Sequence, residues 1–573
     1  ARQLYIDLVS NIGSTRCYGA TLRERLNVKG KGNSWWYHPF TAKNSMDDPI
    51  FNRLLQILTI AFIAEKEQSQ KIELYNGSHE VANVLSSRFQ IIKKGKFKYD
   101  LLHPIRGIFS RIKYLYLIIR NHIALNRSLS LPDINPDIVF EGFWNWSVKL
   151  NKQNKLEDVY FSSLPNHLIS NGFSCAWLLW LDPHFKNGPK SQTVTKILKT
   201  AKKHPQLIFL QKFISINNIF RAIVDFRPLF HYLRLSNSKQ FRAIAKIQNF
   251  DFWPLINRKL VYGFCNSTLP HHTLGELAHR RAFETYHPKF FFTFQEFYLW
   301  SRACYQGARL GDINTISCNI QHASYNREKT FILIDAEREF NGYPDNHMMP
   351  TPDYIFAMGE LGKTIFLENG FPVERVILSG SVRYDQVKFP LKKLKRVQEG
   401  KCINVLLTPT MNRELEIEMI QAAVLAIKGL KAKLYLRSHP FNKMEDWPNY
   451  KPYLTKITSS KGSLKEDLEM ADLVLFSFST VAEEALLLGI PVCQWQPAKF
   501  NGSVFKDIPL IPSFSSVDEL ANFLRNFIEQ PKLYQPTLET QKLVAHQCFY
   551  KTDGMAAKRI VKKLIEISNS GIT

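Results

Sequence analysis

Short apolar runs alternate with amphipathic segments along the second half of the chain. Between residues 289 and 381, strands are predicted for the runs KFFFTF (289–294), TISCNIQH (315–322), DYIFAMG (353–359) and RVILSGS (375–381). The intervening segments EFYLWSRACYQGARLG and ELGKTIFLENG have the apolar spacing of helices. Such alternation is typical of an α/β sheet whose strands are joined by helical crossovers.

The alternation restarts after the basic stretch VKFPLKKLKRVQEGK, which predicts a linker at 386–401. The strands expected beyond it are NVLLTPT (404–410), KLYLRSHP (433–440), LVLFSFST (473–480) and IPVCQW (490–495). The pattern therefore predicts a first α/β domain at 1–385 and a second, more regular domain at 402–545. A last helix, AAKRIVKKLIEIS, is predicted within 546–573 and is expected to pack back on the first domain.

The first part of the chain is less regular. The run QLYIDLV (3–9) predicts a strand, and residues 50–65 predict a helix. Between 105 and 123, apolar residues recur at helical spacing among arginines and a lysine. Such a helix can lie on an anionic membrane, or it can pack on the core with its basic face in solvent. Residues 186–260 are again basic, and they predict a mostly helical insertion into the first domain.

Composition narrows the class of protein. A chain of 573 residues is long enough for two or three domains. It contains no run of about 18 uncharged apolar residues and no signal-peptide pattern at its start. The eight cysteines are far apart and form no CxxC pair, which favours a reducing cytoplasm over a zinc site or a disulfide framework. The formal net charge of +25 favours an anionic partner: nucleic acid, acidic lipid or a phosphorylated small molecule.

Two neighbouring strands of the second domain end in polar side chains. Because ligands of such sheets lie at the carboxyl ends of the strands, RSHP (437–440) and FSFST (476–480) are expected at one site. The hydroxyls of the second segment precede a helix, whose first turn can bind phosphate. They can equally serve as helix caps, and His439 can equally be a structural histidine.

These two segments together resemble the nucleotide-binding half of GT-B glycosyltransferases that make bacterial surface polysaccharides. The resemblance is to capsule Kdo transferases, bacterial polysialyltransferases and CDP-glycerol glycerophosphotransferases. It implies an α/β GT-B fold, in which two Rossmann-like domains face a cleft. It also implies that His439, Ser477, Ser479 and Thr480 hold the phosphate of a cytidine nucleotide donor.

The resemblance extends to the first domain. NIQHASY (319–325) is similar to a Gln-His element of the capsule enzymes, and residues 350–385 are similar to the segment that follows it. TFQEFYLWSRACYQGARLG and SWWYHPFTAKNSM resemble parts of a group known as surface carbohydrate biosynthesis proteins, the former resembling its glutamate-bearing helix. One departure is Ala323, which follows His322 where the capsule enzymes usually have glycine.

Further roles follow from this interpretation of the cleft. Arg437 is expected to pair with a phosphate or with Glu483 or Glu484. One of these glutamates can hold a ribose hydroxyl, and Thr410, with Thr408, can line the base or phosphate pocket.

The acceptor hydroxyl needs a base if the reaction inverts configuration. Glu296 and His322 are equal candidates, since each follows the end of a predicted strand, and Asp312 and Asp335 are weaker options. For Glu296, the alternative is an acid that stabilises a helix N-terminus.

The resemblance implies a metal-independent glycosyltransferase with no cofactor beyond its nucleotide-sugar donor. The expected reaction moves Kdo or another ulosonic acid from a CMP-linked donor onto a surface glycan or lipid-linked glycan, such as one on lipid A. It would take place in the cytoplasm, at the inner face of the membrane. Alternatives are a glycerol or ribitol phosphotransferase using a CDP-alditol, a hexosyltransferase using UDP or GDP donors, and a GT-B scaffold without activity. A non-catalytic nucleic-acid-binding protein is a remote alternative, because no nucleic-acid recognition motif is present.

Overall fold

The structure is a computed structural model. It describes residues 1–44, 48–96, 103–144, 146–151, 155–181, 201–385, 398–410, 413–439, 443–444, 447–453, 455–496 and 501–570. The predicted linker at 386–401 lies outside the described residues except for 398–401, and so does the part of the predicted insertion before residue 201.

Two parallel sheets form the framework. The strands, in chain order, are Lys71–Tyr75 (β1), Gln90–Lys94 (β2), Ile138–Phe143 (β3), Val148–Leu150 (β4), Leu156–Asp158 (β5), Cys175–Trp180 (β6), Leu207–Phe209 (β7), Lys246–Ile247 (β8), Phe250–Asp251 (β9), Phe290–Thr293 (β10), Ile316–Ile320 (β11), Tyr354–Ala357 (β12), Val376–Leu378 (β13), Ile403–Thr408 (β14), Ala432–Leu436 (β15), Ile457–Ser459 (β16), Leu473–Phe476 (β17), Val492–Trp495 (β18) and Ser513–Phe514 (β19).

Helices cover and connect the sheets. The α-helices are Arg2–Ser14, Leu22–Leu26, Pro49–Lys66, His79–Leu85, His103–Ser128, Leu164–Ser170, Ile216–Val224, Arg227–Ser236, Lys239–Ala243, Trp253–Cys265, Thr268–Tyr286, Leu299–Gly311, Glu360–Glu368, Arg413–Ala426, Leu464–Met470, Val481–Leu487, Val517–Glu529, Leu538–Val544 and Ala556–Asn569. Among the described residues, no helix has the length and apolar character needed to cross a membrane.

The second sheet has the order β16-β15-β14-β17-β18-β19, and all its pairings are parallel. Counted along the chain, this order is 3-2-1-4-5-6, the doubly wound order of a Rossmann sheet. Its switch point lies between β14 and β17. At this point the connections leave in opposite directions, and the carboxyl ends of the strands border a crevice.

The first sheet follows the same rule. Its order is β13-β12-β11-β10-β3-β6-β7, again with parallel pairing throughout. Counted from its far edge along the chain, the order is 3-2-1-4-5-6-7, so its switch point lies between β3 and β10. The predicted arrangement of two Rossmann-like α/β halves, the GT-B fold class, is confirmed.

Two predictions for the first half were wrong in part. QLYIDLV lies in the helix Arg2–Ser14, where Tyr5, Leu8, Val9 and Ile12 are buried at helical spacing. The segment 186–260 is largely helical from Ile216 onward, but it also supplies β7, the edge strand of the first sheet. The segment is therefore partly integral to the sheet.

The C-terminal helix Ala556–Asn569 packs against the first half. The backbone N–H groups of Ala556 and Ala557 donate to the carboxylate of Asp385 at 2.9 Å each. Its buried side chains Ile560 and Leu564 belong to the same apolar core as β3 and β10. The chain therefore returns to its first sheet after completing the second.

Candidate active site

Three polar groups meet at the switch point of the second sheet. Thr410 and Ser477 follow the adjacent strands β14 and β17, and both hydroxyls donate to Oε1 of Glu416, at 2.5 Å and 2.8 Å. Glu416 is fully buried in the first turn of the helix Arg413–Ala426. The two hydroxyls, which sequence analysis assigned to the donor pocket, are thus hydrogen-bonded to a carboxyl group of their own half.

Burial raises the pKa of Glu416 to about 7, although the hydrogen bonds from Thr410 and Ser477 lower it. A carboxyl group with such a pKa is partly protonated at neutral pH, so it can also donate a hydrogen bond. Sequence analysis missed Glu416 because it stands between two other glutamates in RELEIEM (413–419), where it resembles a solvent-exposed acid.

The predicted hydroxyls at 479 and 480 begin the helix Val481–Leu487. Ser479 Oγ accepts the backbone N–H of Val481 at 3.4 Å, and Thr480 is the N-cap residue without a side-chain cap hydrogen bond. Both residues are partly exposed. The capping alternative therefore holds for Ser479, whereas no cap contact of the Thr480 side chain is seen.

The two glutamates of this helix contact the first half of the chain. Ser324 Oγ donates to Oε2 of buried Glu483, and Tyr384 Oη donates to Oε1 of Glu484 at 3.0 Å. Burial raises the pKa of Glu483, whereas the positive charge of nearby Lys329 lowers it. Either glutamate was predicted to hold a ribose hydroxyl, and both instead accept hydrogen bonds from the first half; a ribose contact of Glu484, which is less buried than Glu483, stays a prediction.

Arg437 has a different partner from those expected. Its Nη1 lies 2.5 Å from Oδ2 of Asp467 and also donates to the carbonyl of Gly462 at 3.1 Å. The expected ion pair with Glu483 or Glu484 is not formed, although the charge of Arg437 lowers the pKa of Glu484, which burial raises; the alternative of a phosphate partner stays a prediction. The guanidinium fixes the end of β15 to the helix Leu464–Met470, which holds the following residues at the edge of the sheet.

His439 follows β15 and lies near Arg383 of the first half. Burial, followed by the positive charge of Arg383, lowers the pKa of His439 to about 4. Its imidazole is therefore neutral at physiological pH and can donate one N–H group.

Arg383 is an exposed cation at the junction of the two halves. Besides its effect on His439, its charge lowers the pKa of Glu484, which burial raises. Arg383 belongs to the SGSVRYD segment, so the signal was present in the sequence. It was missed as a site residue because it lies far along the chain from the segment that contains His439.

Glu296 and His322, the two candidate bases, are in contact. Oε1 of Glu296 lies 3.3 Å from both Nδ1 and the backbone nitrogen of His322. The Glu296 side chain is fully buried, whereas that of His322 is 24% exposed. The Tyr160 ring packs edge-on against the His322 ring at 5.3 Å. Only the imidazole of this pair is accessible to an acceptor.

Glu296 lies in a turn and not, as predicted, in a helix. The helix begins at Leu299, and Glu296 has a φ of +30°, a conformation that is rare for residues other than glycine and that is found at functional sites. Arg302 supports this turn by donating to the carbonyl of Phe297 at 2.9 Å and to that of Thr41 at 3.0 Å.

The SWWYHPF segment is structural. Trp35, Trp36 and Tyr37 are each 1% exposed, and burial lowers the pKa of His38 to about 3. The segment packs beneath the helix that follows Glu296, and it therefore supports the site from behind.

The weaker candidates Asp312 and Asp335 are outside the site. Asp312 precedes β11, at the opposite end of the sheet from His322, and contacts His287. Asp335 pairs with Arg338 at 2.7 Å.

The first switch point also holds a buried carboxyl group that sequence analysis missed. Glu141 lies within β3 and is fully buried, and burial raises its pKa to about 8. The nearby charges of Asp158 and Glu296 raise it further. Each sheet thus has a buried carboxyl group beside its switch point.

No protein-family model and no curated protein matches this chain. Solved structures match over most of their length. They include the UDP-GlcNAc 2-epimerase of Neisseria meningitidis bound to UDP-GlcNAc (12% identity, TM-score 0.41, 75% of this chain and 100% of that one). Others are the MnaA–UDP complex of S. aureus (11%, 0.43, 76% and 97%) and a variant of the wall teichoic acid polymerase TagF (11%, 0.37, 82% and 99%).

Glu416→Gln is expected to reduce the loss of stability that accompanies rising pH. The folded pKa of about 7 is above the unfolded value of 4.5, so the unfolded chain releases this proton first. The free energy of unfolding should therefore fall between about pH 4.5 and 7, by up to about 3 kcal/mol for this group. Glutamine keeps an acceptor for Thr410 and Ser477 and has no charge to bury.

Urea unfolding of wild type and Glu416→Gln at pH 5 and pH 8 measures this effect. Exposed Glu469 provides the matched control, since Glu469→Gln should follow the wild-type pH dependence. Equal pH dependence of wild type and Glu416→Gln would contradict the assignment of a raised pKa to Glu416.

Proposed function

We propose that this chain is a GT-B glycosyltransferase that moves a sugar from a nucleotide donor onto a bacterial surface glycan or lipid-linked glycan. The observation that carries the proposal is the placement of four groups. Glu296 and His322 follow adjacent strands of the first sheet, and His439 of the second half lies near Arg383 of the first. A base for an acceptor and donors for a leaving phosphate are thus available at the junction of the halves.

His439 and Arg383 are assigned to the donor phosphate. The neutral imidazole of His439 donates an N–H group, and Arg383 supplies the positive charge that offsets the negative charge of the departing nucleotide. The hydroxyl of Thr480, which makes no cap hydrogen bond, can add a donor to the same phosphate. With these groups the proposed transfer uses neither a metal ion nor a cofactor beyond the donor itself.

His322 is assigned as the base, with Glu296 as the residue that positions it. Nδ1–H of His322 faces the buried Glu296 carboxylate, which leaves Nε2 free to accept the proton of an acceptor hydroxyl. The burial of Glu296 and its strained backbone support this division of roles, because the acceptor can reach only the imidazole.

For the donor we propose CMP-linked Kdo or another ulosonic acid, on the strength of the RSHP and FSFST motifs. For the location we propose the cytoplasm, at the inner face of the cytoplasmic membrane, where lipid-linked glycans are assembled. The CDP-alditol, UDP and GDP alternatives share the same phosphate-binding groups, so nucleotide selectivity distinguishes them.

Calorimetric titration with CMP, CDP, UDP and GDP should show preferential binding of CMP by the wild-type protein. His439→Ala is expected to weaken this binding by about tenfold, the effect of losing one hydrogen bond to a charged group. His204→Ala, which precedes β7 at the opposite end of the first sheet, should bind like wild type.

Preference for CDP would instead favour the alditol-phosphate reaction, and preference for UDP or GDP a hexosyl donor. Binding of no nucleotide, or equal binding by wild type and His439→Ala, would overturn the assignment of this site.

His322→Ala should reduce kcat by about 10³-fold with little change in nucleotide affinity, because a general base contributes about 10²–10⁴-fold. Glu296→Gln keeps the imidazole and should cost less, about tenfold. Steady-state kinetics with the donor identified above measures both variants. A larger loss in Glu296→Gln than in His322→Ala would show that the carboxylate is the base.

A further inference from the structure

The helix His103–Ser128 has two apolar faces. Its inner face, with Tyr114, Ile118 and Leu125 fully buried, packs on the core of the first half. A second apolar stripe is turned to solvent and consists of Ile105, Ile108, Phe109, Ile112, Tyr116 and Ile123, which are 37–68% exposed. Within the described part of the chain, the inner face is covered by the core, and the second apolar stripe is not covered.

Cations are interleaved with the exposed stripe. Arg106, Lys113 and Arg120 are exposed on the same helix, and residues 103–128 contain no Asp or Glu. The solvent side of the helix is thus both apolar and uniformly basic.

The two helices that follow β7 have the same character. Their exposed apolar side chains are Ile216, Phe220, Val224, Phe230 and Leu233, and their exposed cations are Arg221, Arg227 and Arg234. The single acid in residues 216–236 is Asp225, which pairs with Arg227 at 2.5 Å.

Buried Arg111 holds these helices beside the first one. Its guanidinium donates to the carbonyls of Ile223 at 2.7 Å, Phe264 at 2.6 Å and Asn266 at 3.1 Å, and it stacks over the Phe226 ring at 4.2 Å. Arg111 therefore joins the first helix to the end of the helix Ile216–Val224 and to Phe226, which precedes the helix Arg227–Ser236. We call their exposed apolar and cationic side chains, between residues 105–123 and 216–234, the basic face.

We propose that the basic face docks on the surface of a bilayer that contains anionic phospholipid. The apolar side chains enter the boundary between headgroups and acyl chains, and the interleaved arginines and lysine contact lipid phosphates. This inference rests on the location given in the proposed function and deepens it, because it names the surface that would hold the protein where a lipid-linked acceptor is found.

Charge and composition favour lipid over other occupants. A symmetric contact with a second copy would bring cations against cations, which opposes association. A nucleic acid would use the cations, but it would leave the exposed isoleucines and phenylalanines without partners. An anionic bilayer surface satisfies both kinds of side chain.

Vesicle co-sedimentation of the full chain tests this inference. Wild type should sediment with vesicles that contain phosphatidylglycerol but not with pure phosphatidylcholine vesicles, and added salt should weaken the binding. Phe109→Asp combined with Ile112→Asp should lower the partition coefficient by about tenfold or more. Arg106→Gln combined with Arg120→Gln should lower it by about fivefold for each cation removed.

Phe62 and Ile63 provide the matched control. They are 67% and 53% exposed on the helix Pro49–Lys66, outside the basic face, so Phe62→Asp combined with Ile63→Asp should leave vesicle binding unchanged. Equal loss in this control, or no binding of wild type to phosphatidylglycerol vesicles, would overturn the inference. So would sedimentation showing that the Phe109/Ile112 variant dissociates an oligomer.

Nucleotide titration of the same variants separates the two proposals. Variants of the basic face should bind nucleotide like wild type. Failure of wild type to bind vesicles while nucleotide binding persists would overturn the docking surface alone. Vesicle binding without nucleotide binding would overturn the proposed function alone.

Discussion

The hydrogen bonds that Glu483 and Glu484 accept from the first half hold the site together. Their partners, Ser324 and Tyr384, are close in sequence to His322 and Arg383, so the loops that form these contacts also contain the proposed functional groups. Asn326 adds two bonds, to the carbonyls of Asn501 at 2.8 Å and Ser503 at 2.7 Å. The carboxyl ends of the two sheets consequently face one another. The first half contributes His322 and Arg383 to the proposed site, and the second half contributes His439.

Buried carboxyl groups recur in this region, and burial raises the pKa of several of them. Glu141 and Glu416 occupy the two switch points, with pKa values of about 8 and about 7. Removing a carboxylate from water is unfavourable, and protonation relieves the cost. Arg383 and Lys329 supply positive charge at the junction of the halves, whereas His439 is neutral.

The framework of the fold could be predicted from the sequence where strands and helices alternate in short apolar runs, as in residues 289–381 and 403–495. It could not be predicted where a buried strand lacks a distinctive pattern. β3 contains Glu141 and Gly142 in its interior, and β7 has three residues in a basic helical context. QLYIDLV was misassigned because seven residues fit alternation, whereas extending the segment to Ile12 reveals helical spacing.

The location of the site could be predicted from the sequence, whereas most hydrogen-bond partners of its residues could not. The strand ends that contain His322, His439 and Ser477 follow from topology. The hydrogen-bond partners at this edge do not follow from topology. Bonds such as Ser477–Glu416 and Arg437–Asp467 join residues 61 and 30 positions apart in the chain. The sequence placed polar residues at the correct edge of each sheet. Only the structure shows which of them are hydrogen-bonded within the protein and which can reach a ligand.

The proposed function requires that nucleotide binds between the two halves, against segments from both. Hydrogen–deuterium exchange with and without saturating CMP measures this directly. Binding between the halves should slow exchange in residues 436–439 and 477–484 of the second half and in residues 321–327 and 382–385 of the first. Slower exchange confined to one half, or to surfaces away from these segments, would contradict it.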